Sequence, residues 1–148
     1  MKASEGEIRA LLDAYCERLD AGDFDGVADL FRHGVFRSPR GTNLEGAAAV
    51  RSQYDAVILY DDGTPRTMHC ITNVTISVDE DAQTATARSY FTVIQKVPDF
   101  PLQPIIAGQY RDRFALIDGE WWFTERIIHP DLIGDLSRHM TAKWMPPS

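Results

Sequence analysis

Asp118-Gly119 separates two runs of mixed apolar and polar residues, 106–117 and 120–128. A dipeptide of this kind accepts the positive φ values of a tight hairpin turn, so the flanking runs are expected to fold back on each other as antiparallel strands. An earlier pair, residues 67–78 and 84–95, flanks the acidic turn Asp79-Glu80-Asp81. In residues 66–76 two rows alternate. Met68, Cys70, Val74, Ile76 and Val78 are apolar, broken only by Thr72; Thr67, His69, Asn73, Thr75 and Ser77 are polar, broken only by Ile71. Period-two alternation predicts a half-buried strand. Val97-Pro98-Asp99-Phe100-Pro101 and Pro104 read as a proline-rich connection between the two hairpins.

The first half reads as helices. Ser4-Glu5-Gly6-Glu7 has the form of a capping box, and Ile8, Leu11, Leu12, Tyr15 and Leu19 follow at helical spacing until Gly22. Asp23 caps a short second helix carrying Phe24, Val27, Leu30 and Phe31, and Gly34 ends it. Residues 35–38 form a short strand before the turn Ser38-Pro39-Arg40-Gly41. Leu44-Glu45-Gly46 leads into a third helix through Ala47, Val50 and Tyr54. After Pro130, Asp131-Leu132-Ile133-Gly134-Asp135-Leu136 predicts a last short helix or lid. Helices followed by an antiparallel sheet make the fold class α+β, expected as one domain over residues 1–148.

Charge narrows the partners. The net charge of −7 repels phosphate backbones, and no basic stripe offsets it, so nucleic-acid binding is not expected. No apolar run approaches a membrane span, and the N-terminus turns acidic without a signal-peptide core. Cys16 and Cys70 are too few for a disulfide framework and sit in apolar rows, which fits a cytoplasmic protein with reduced thiols.

Registers assign faces. A two-residue Asp118-Gly119 turn sets Leu116 opposite Trp121, Phe114 opposite Phe123, Asp112 opposite Glu125 and Tyr110 opposite Ile127. Ala115, Trp122, Arg111 and Arg126 then take the reverse face. A Glu80-Asp81 turn sets His69 opposite Thr92, Ile71 opposite Tyr90 and Asn73 opposite Arg88. Two facing carboxylates call for a cation, and Arg88 would be in reach of Asp112 or Glu125; the alternative is a set of ordinary surface charges.

Several further features occur in a fixed order: Tyr15 with Leu19-Asp20-Ala21-Gly22-Asp23-Phe24, Leu44-Glu45-Gly46, Arg66-Thr67-Met68-His69, Gly108-Gln109-Tyr110 and Asp118-Gly119-Glu120-Trp121. On these motifs, which span residues 4–129, the chain resembles the SnoaL-like group of the nuclear transport factor 2-like superfamily. The resemblance implies a cone-shaped, curved antiparallel sheet wrapped by N-terminal helices (a cystatin-like α+β barrel), a pocket between sheet and helices, and a dimer. The superfamily includes scytalone dehydratase, polyketide cyclases, ketosteroid isomerase and limonene epoxide hydrolase. It also includes non-catalytic members such as β subunits of ring-hydroxylating dioxygenases, so fold alone does not fix function. The motif match extends to scytalone dehydratase. It implies a pocket aspartate at Asp20, a catalytic histidine at His69, and ligand-contacting positions at Gly108 and Tyr110. That family's second catalytic histidine maps to about Ile94, and Leu19 stands where it has a tyrosine. The resemblance therefore implies a pocket with one acid/base pair rather than the dehydratase reaction itself.

His69 and Asp20 are the catalytic candidates. A histidine can move a proton near neutral pH, and a carboxylate partner fixes its tautomer. The competing reading is a structural histidine in a strand and a solvated carboxylate at a helix end, where the dipole disfavours it. Tyr15, Tyr54, Asn73, Arg88, Tyr90, Tyr110 and His129 are the candidate substrate-binding residues. The tyrosines could donate hydrogen bonds to a carbonyl or enolate oxygen, or could pack in the core with their hydroxyls satisfied locally. His33, His69, His129 and His139 lack paired metal-binding spacing, and no glycine-rich phosphate loop or GxSxG elbow occurs, so neither metal nor cofactor is expected. The functional expectation is a cofactor-independent lyase or isomerase of the dehydratase, ketosteroid isomerase or polyketide cyclase type, acting on a small apolar carbonyl compound. The alternative is a non-catalytic ligand-binding module or a dioxygenase β-subunit-like structural protein. The row Met68, Cys70, Val74 and Ile76 with Ala85, Ala87, Phe91 and Val93 predicts a homodimer through the outer sheet face.

Overall fold

The computed structural model describes residues 3–141. Helix α1 (Ala3–Asp20) buries Ile8, Leu12, Tyr15, Cys16 and Leu19, one stripe at helical spacing. The helix has already begun at Ala3, and the Ser4 hydroxyl donates to Glu80 instead of closing a capping box. Gly22 follows with φ +77°, and a Cβ there would lie 2.1 Å from the Gly63 carbonyl oxygen. This close approach holds the end of α1 against the loop that leads into the sheet. Gly22→Ala combines a left-handed backbone with that clash, so it is expected to cost at least about 1–2 kcal/mol. A urea midpoint equal to that of the parent would show that the approach is dispensable.

Asp23 caps α2 (Phe24–Asp29), its carboxylate accepting from the Gly26 N–H at 2.9 Å. Two short strands, β1 (Val35–Arg37) and β2 (Asn43–Glu45), precede α3 (Gly46–Gln53), which runs into a single 3-10 turn at Tyr54–Ala56. Four long strands follow: β3 (Thr67–Asp79), β4 (Thr84–Val97), β5 (Phe100–Ile117) and β6 (Glu120–Ile133). They form one curved, open sheet of order β2-β1-β6-β5-β4-β3, antiparallel except where β1 runs parallel to β6. The helices cover its inner face, where Phe31 stacks on Phe123 with centroids 4.9 Å apart.

A longer turn and two bulges change the expected pairing, and the bulges change the faces. The β3–β4 turn has four residues, since Asp79 pairs with Thr84, and Gln83 takes φ 55°. Asn73 takes φ 55° at a bulge between Thr72 and Thr75. Thr124 is an extra residue in β6, because Arg113 pairs with Glu125 while Phe114 pairs with Phe123. Side chains alternate with period two, so each inserted residue moves everything beyond it to the opposite face. Thus His69 pairs with Val93, Ile71 with Phe91 and Thr75 with Arg88. In β3, Thr67, His69 and Ile71 point inward before the bulge, and Val74, Ile76 and Val78 after it.

The predicted dimer row therefore does not lie on one outer face. Ala85, Ala87, Phe91 and Val93 are buried, and Val74 and Ile76 pack against the core; only Met68 and Cys70 of that row face outward. Two further expectations are corrected. Residues 100–105 are strand, and they pair only with β4, so Pro101 and Pro104 occupy a locally free edge where a missing N–H is tolerated. Residues 131–133 continue β6, with no helix there. Gly108 makes the crossing of β5 and β6 possible, because a Cβ on it would sit 2.1 Å from the His129 carbonyl oxygen. Among the described residues, no helix is long and apolar enough to cross a membrane.

Candidate active site

The end of α1 and the start of β3 bring Asp20 and His69 together. Asp20 Oδ1 lies 2.6 Å from His69 Nδ1 and accepts from the Thr67 hydroxyl at 2.8 Å. Asp20 Oδ2 accepts from the His69 backbone N–H at 2.8 Å. A carboxylate at a helix C-terminus opposes the helix dipole, and these donors offset that penalty. With Nδ1 turned to the carboxylate, Nε2 is the nitrogen left for the cavity that His69 lines. The His69 side chain is 6% exposed. The cavity has a volume of about 760 Å³. That is within the range of small-molecule sites, roughly 300–1,000 Å³.

The wall carries tyrosine hydroxyls. Tyr15, Tyr54 and Tyr110 all line the cavity, and the Tyr15 and Tyr54 hydroxyls are hydrogen-bonded at 3.1 Å. Burial pushes all three phenols up, against an opposing pull from Arg126, so they are donors rather than bases at neutral pH. Behind them lies a buried ion pair. Arg126 Nε and Nη2 donate to the two Asp112 oxygens at 2.8 and 3.0 Å, with both side chains fully buried. The guanidinium carbon sits 3.7 Å from the Tyr110 ring centroid and 4.3 Å from that of Tyr15. Burial pushes the Asp112 carboxyl up and the Arg126 charge pulls it back; Asp112 in turn holds Arg126 protonated. The site thus keeps a fixed cation behind its hydroxyl donors. Burial pushes the Cys16 thiol up to about 12, which excludes it as a thiolate nucleophile.

The C-terminal segment closes one side. Gln95, 1% exposed, donates through Nε2 to the Pro65 and Arg138 carbonyls at 3.1 and 3.0 Å, and Tyr60 donates to the Arg138 carbonyl. The Ile58 and Thr141 N–H groups donate to the His139 and Ala56 carbonyls, each at 2.8 Å. These bonds set Leu136, His139 and Met140 into the cavity wall. His139 is buried, with no hydrogen-bond partner for Nδ1 among the described residues. Burial first, and then the proximity of the His69 imidazole, push its pKa down to about 4. The unfolded chain therefore binds this proton before the folded chain does. Stability should fall as pH drops from about 6.5 to about 4, by on the order of 3 kcal/mol, and level off below. His139→Gln removes this contribution, so denaturant titrations across that window should give a shallower pH slope. Equal slopes would show that His139 is not held neutral by the fold.

Among the expected site residues, His69, Tyr15, Tyr54 and Tyr110 line the cavity, and Asp20 is joined to it through His69. Four do not. Tyr90 is 51% exposed on the outer face, and Arg88 is exposed there opposite Thr75 and Arg111. The longer β3–β4 turn keeps the expected parity; the one-residue bulge at Asn73 is what puts Arg88 and Tyr90 on the side opposite His69. Asn73 is exposed at the bulge. His129 lies opposite Gln109, between Ile128 and Pro130, which line the cavity. Arg88 forms no ion pair with Asp112 or Glu125; the cation for Asp112 is Arg126, which the Thr124 bulge turns inward. His139 and Arg126 are the residues that sequence reasoning passed over. Leu136 and Met140, four apart around His139, are the faint signal for the first. No local signal marks the second. Among the described residues, no group of three or more His, Cys, Asp or Glu side chains could hold a metal ion.

The model of the SnoaL-like domain family matches residues 3–127. No curated protein matches the chain. Among solved structures, a Mycobacterium tuberculosis protein of unknown function is similar at 26% identity and a TM-score of 0.72, over 88% of this chain and 73% of that one. A Nostoc punctiforme protein of unknown function with a cystatin-like fold is 22% identical, with a TM-score of 0.74 over 92% and 98% of the two chains. A Novosphingobium aromaticivorans protein that carries the name scytalone dehydratase is 18% identical, with a TM-score of 0.71 over 97% and 95%.

Proposed function

The chain belongs to the SnoaL-like domain family, and from that premise we propose that it is a cofactor-independent acid/base enzyme, a lyase or isomerase acting on a small, mostly apolar carbonyl compound. The observation that carries this reading is the Asp20–His69 contact at 2.6 Å on the wall of a cavity with tyrosine donors. His69 Nε2 takes the proton next to the carbonyl. The electron pair moves onto the carbonyl oxygen, which accepts hydrogen bonds from the tyrosine wall. The Arg126 cation behind the rings stabilises the growing negative charge. The protonated imidazole then returns its proton to another carbon, giving isomerisation, or to a departing hydroxyl, giving dehydration. Neutral His139 also lines the cavity and offers a second imidazole as a hydrogen-bond partner for the substrate.

Incubation with 2-tetralone in D₂O tests this reading by NMR. Deuterium should enter the position next to the carbonyl faster than in buffer, and His69→Ala should lose the effect. Binding of tetralone without exchange would favour a non-catalytic ligand-binding protein.

We also propose that two copies pair through the outer sheet face, now defined by the exposed Met68, Tyr90 and Leu132 rather than by β4's buried row. Sedimentation at micromolar concentration should give a dimer, and Met68→Glu/Leu132→Glu a monomer; a monomeric parent would refute the pairing.

A further inference from the structure

A second concave site lies on the outer face of the sheet, remote in chemistry from the tyrosine-lined cavity. Two rows of side chains cross it. One runs Thr75, Arg88, Arg111 and Ile127, and the next runs Ser77, Thr86, Arg113 and Glu125, each residue paired with its neighbour in the row. The groove they form has a volume of about 320 Å³. Arg88 and Arg111 are Cα partners on adjacent strands, and like charges directly opposite each other destabilise a sheet. Among the described residues, neither has a carboxylate within ion-pair distance. Arg111 donates only to Gln109 at 3.0 Å. The single carboxylate side chain facing the groove, Glu125, is shared between Arg113 at 3.7 Å and Arg37 at 3.2 Å. Asp112 contributes only backbone here, since its carboxylate is turned inward to Arg126.

The groove therefore concentrates three guanidiniums and three hydroxyls against one carboxylate, in a chain whose net charge is −7. An excess of two positive charges matches a dianion. Guanidinium forks and hydroxyl donors match a tetrahedral oxyanion, which can accept several charge-assisted hydrogen bonds at once. We propose that this groove is a binding site for the phosphate group of a phosphorylated small molecule, with Arg88 and Arg111 as its principal contacts and Thr75, Ser77 and Thr86 as hydroxyl donors. The phosphate relieves the Arg88–Arg111 repulsion. The groove lies toward the 80–83 turn from Met68 and Leu132, and Tyr90, two residues from Arg88 on β4, marks the border between groove and apolar patch.

Calorimetric titration of the full chain with inorganic phosphate and with phenyl phosphate, at constant low ionic strength, reads the site directly. Saturable binding of one ligand per chain is expected. Arg88→Gln/Arg111→Gln should weaken it at least about tenfold, because charge-assisted contacts are lost. His69→Ala should leave it unchanged, and chloride at matched ionic strength should not compete equally. Arg113→Gln provides a milder loss if the double variant does not fold. The proposal fails if binding is not saturable, if the arginine variants bind as the parent does, or if chloride competes equally. It also fails if Arg88→Gln/Arg111→Gln turns a sedimenting dimer into a monomer, because a second copy would then occupy the groove.

Discussion

His69→Ala is expected to lower turnover of a carbonyl substrate by about 10²–10⁴-fold, the usual contribution of a positioned acid/base group. The fold should survive, because the side chain lies on a cavity wall and Asp20 keeps Thr67 and a backbone N–H as donors. Asp20→Asn tests the other half of the pair. It keeps the shape but removes the charge that fixes the imidazole with its proton on Nδ1, so kcat should fall while substrate affinity changes little. Steady-state kinetics with near-UV circular dichroism separates the two effects. Unchanged turnover in His69→Ala would remove His69 from the chemistry and leave the cavity as a binding site.

The second large effect concerns stability. Arg126→Met leaves Asp112 buried and unpaired, and Asp112→Leu leaves Arg126 in the same condition. Each is expected to cost about 3–5 kcal/mol. The double variant Asp112→Leu/Arg126→Met removes both charges and should recover most of that loss, since replacing a buried ion pair by apolar side chains is often neutral. Urea unfolding of the four proteins measures the coupling. If the pair also serves the chemistry, the double variant regains stability but not turnover, because the tyrosine wall has lost the cation behind it. Full recovery of both would make the pair structural only.

The order of helices and strands, the buried stripe of α1 and the Asp118-Gly119 hairpin were legible from the chain. Ile117 does pair with Glu120, and Asp118 and Gly119 take φ values of 52° and 84°, the conformation that Asp-Gly favours. The pairing of Asp20 with His69 was legible too, though they lie 49 residues apart; the two side chains do meet. The sides of β4 and of outer β6 were not legible. Asn73 could have warned of the bulge, because asparagine tolerates positive φ better than most residues, but nothing in Thr124 announces an inserted residue.

Local rules acted where a decision depends on near neighbours: helix stripes, the Asp23 cap and one tight turn. These the sequence determined by itself, along with the α+β order and the family's motifs. The tertiary structure alone decided which residues share the cavity. A bulge at Asn73 put Arg88 and Tyr90 on the face opposite His69. A bulge at Thr124 brought Arg126 inward, to pair with Asp112 behind Tyr15 and Tyr110. Hydrogen bonds from Gln95 and Tyr60 carried His139 into a site that its sequence position did not suggest. The physical reason is parity: side chains alternate faces along a strand, so a single inserted residue reverses every assignment beyond it, and only packing against the helices fixes where that residue goes.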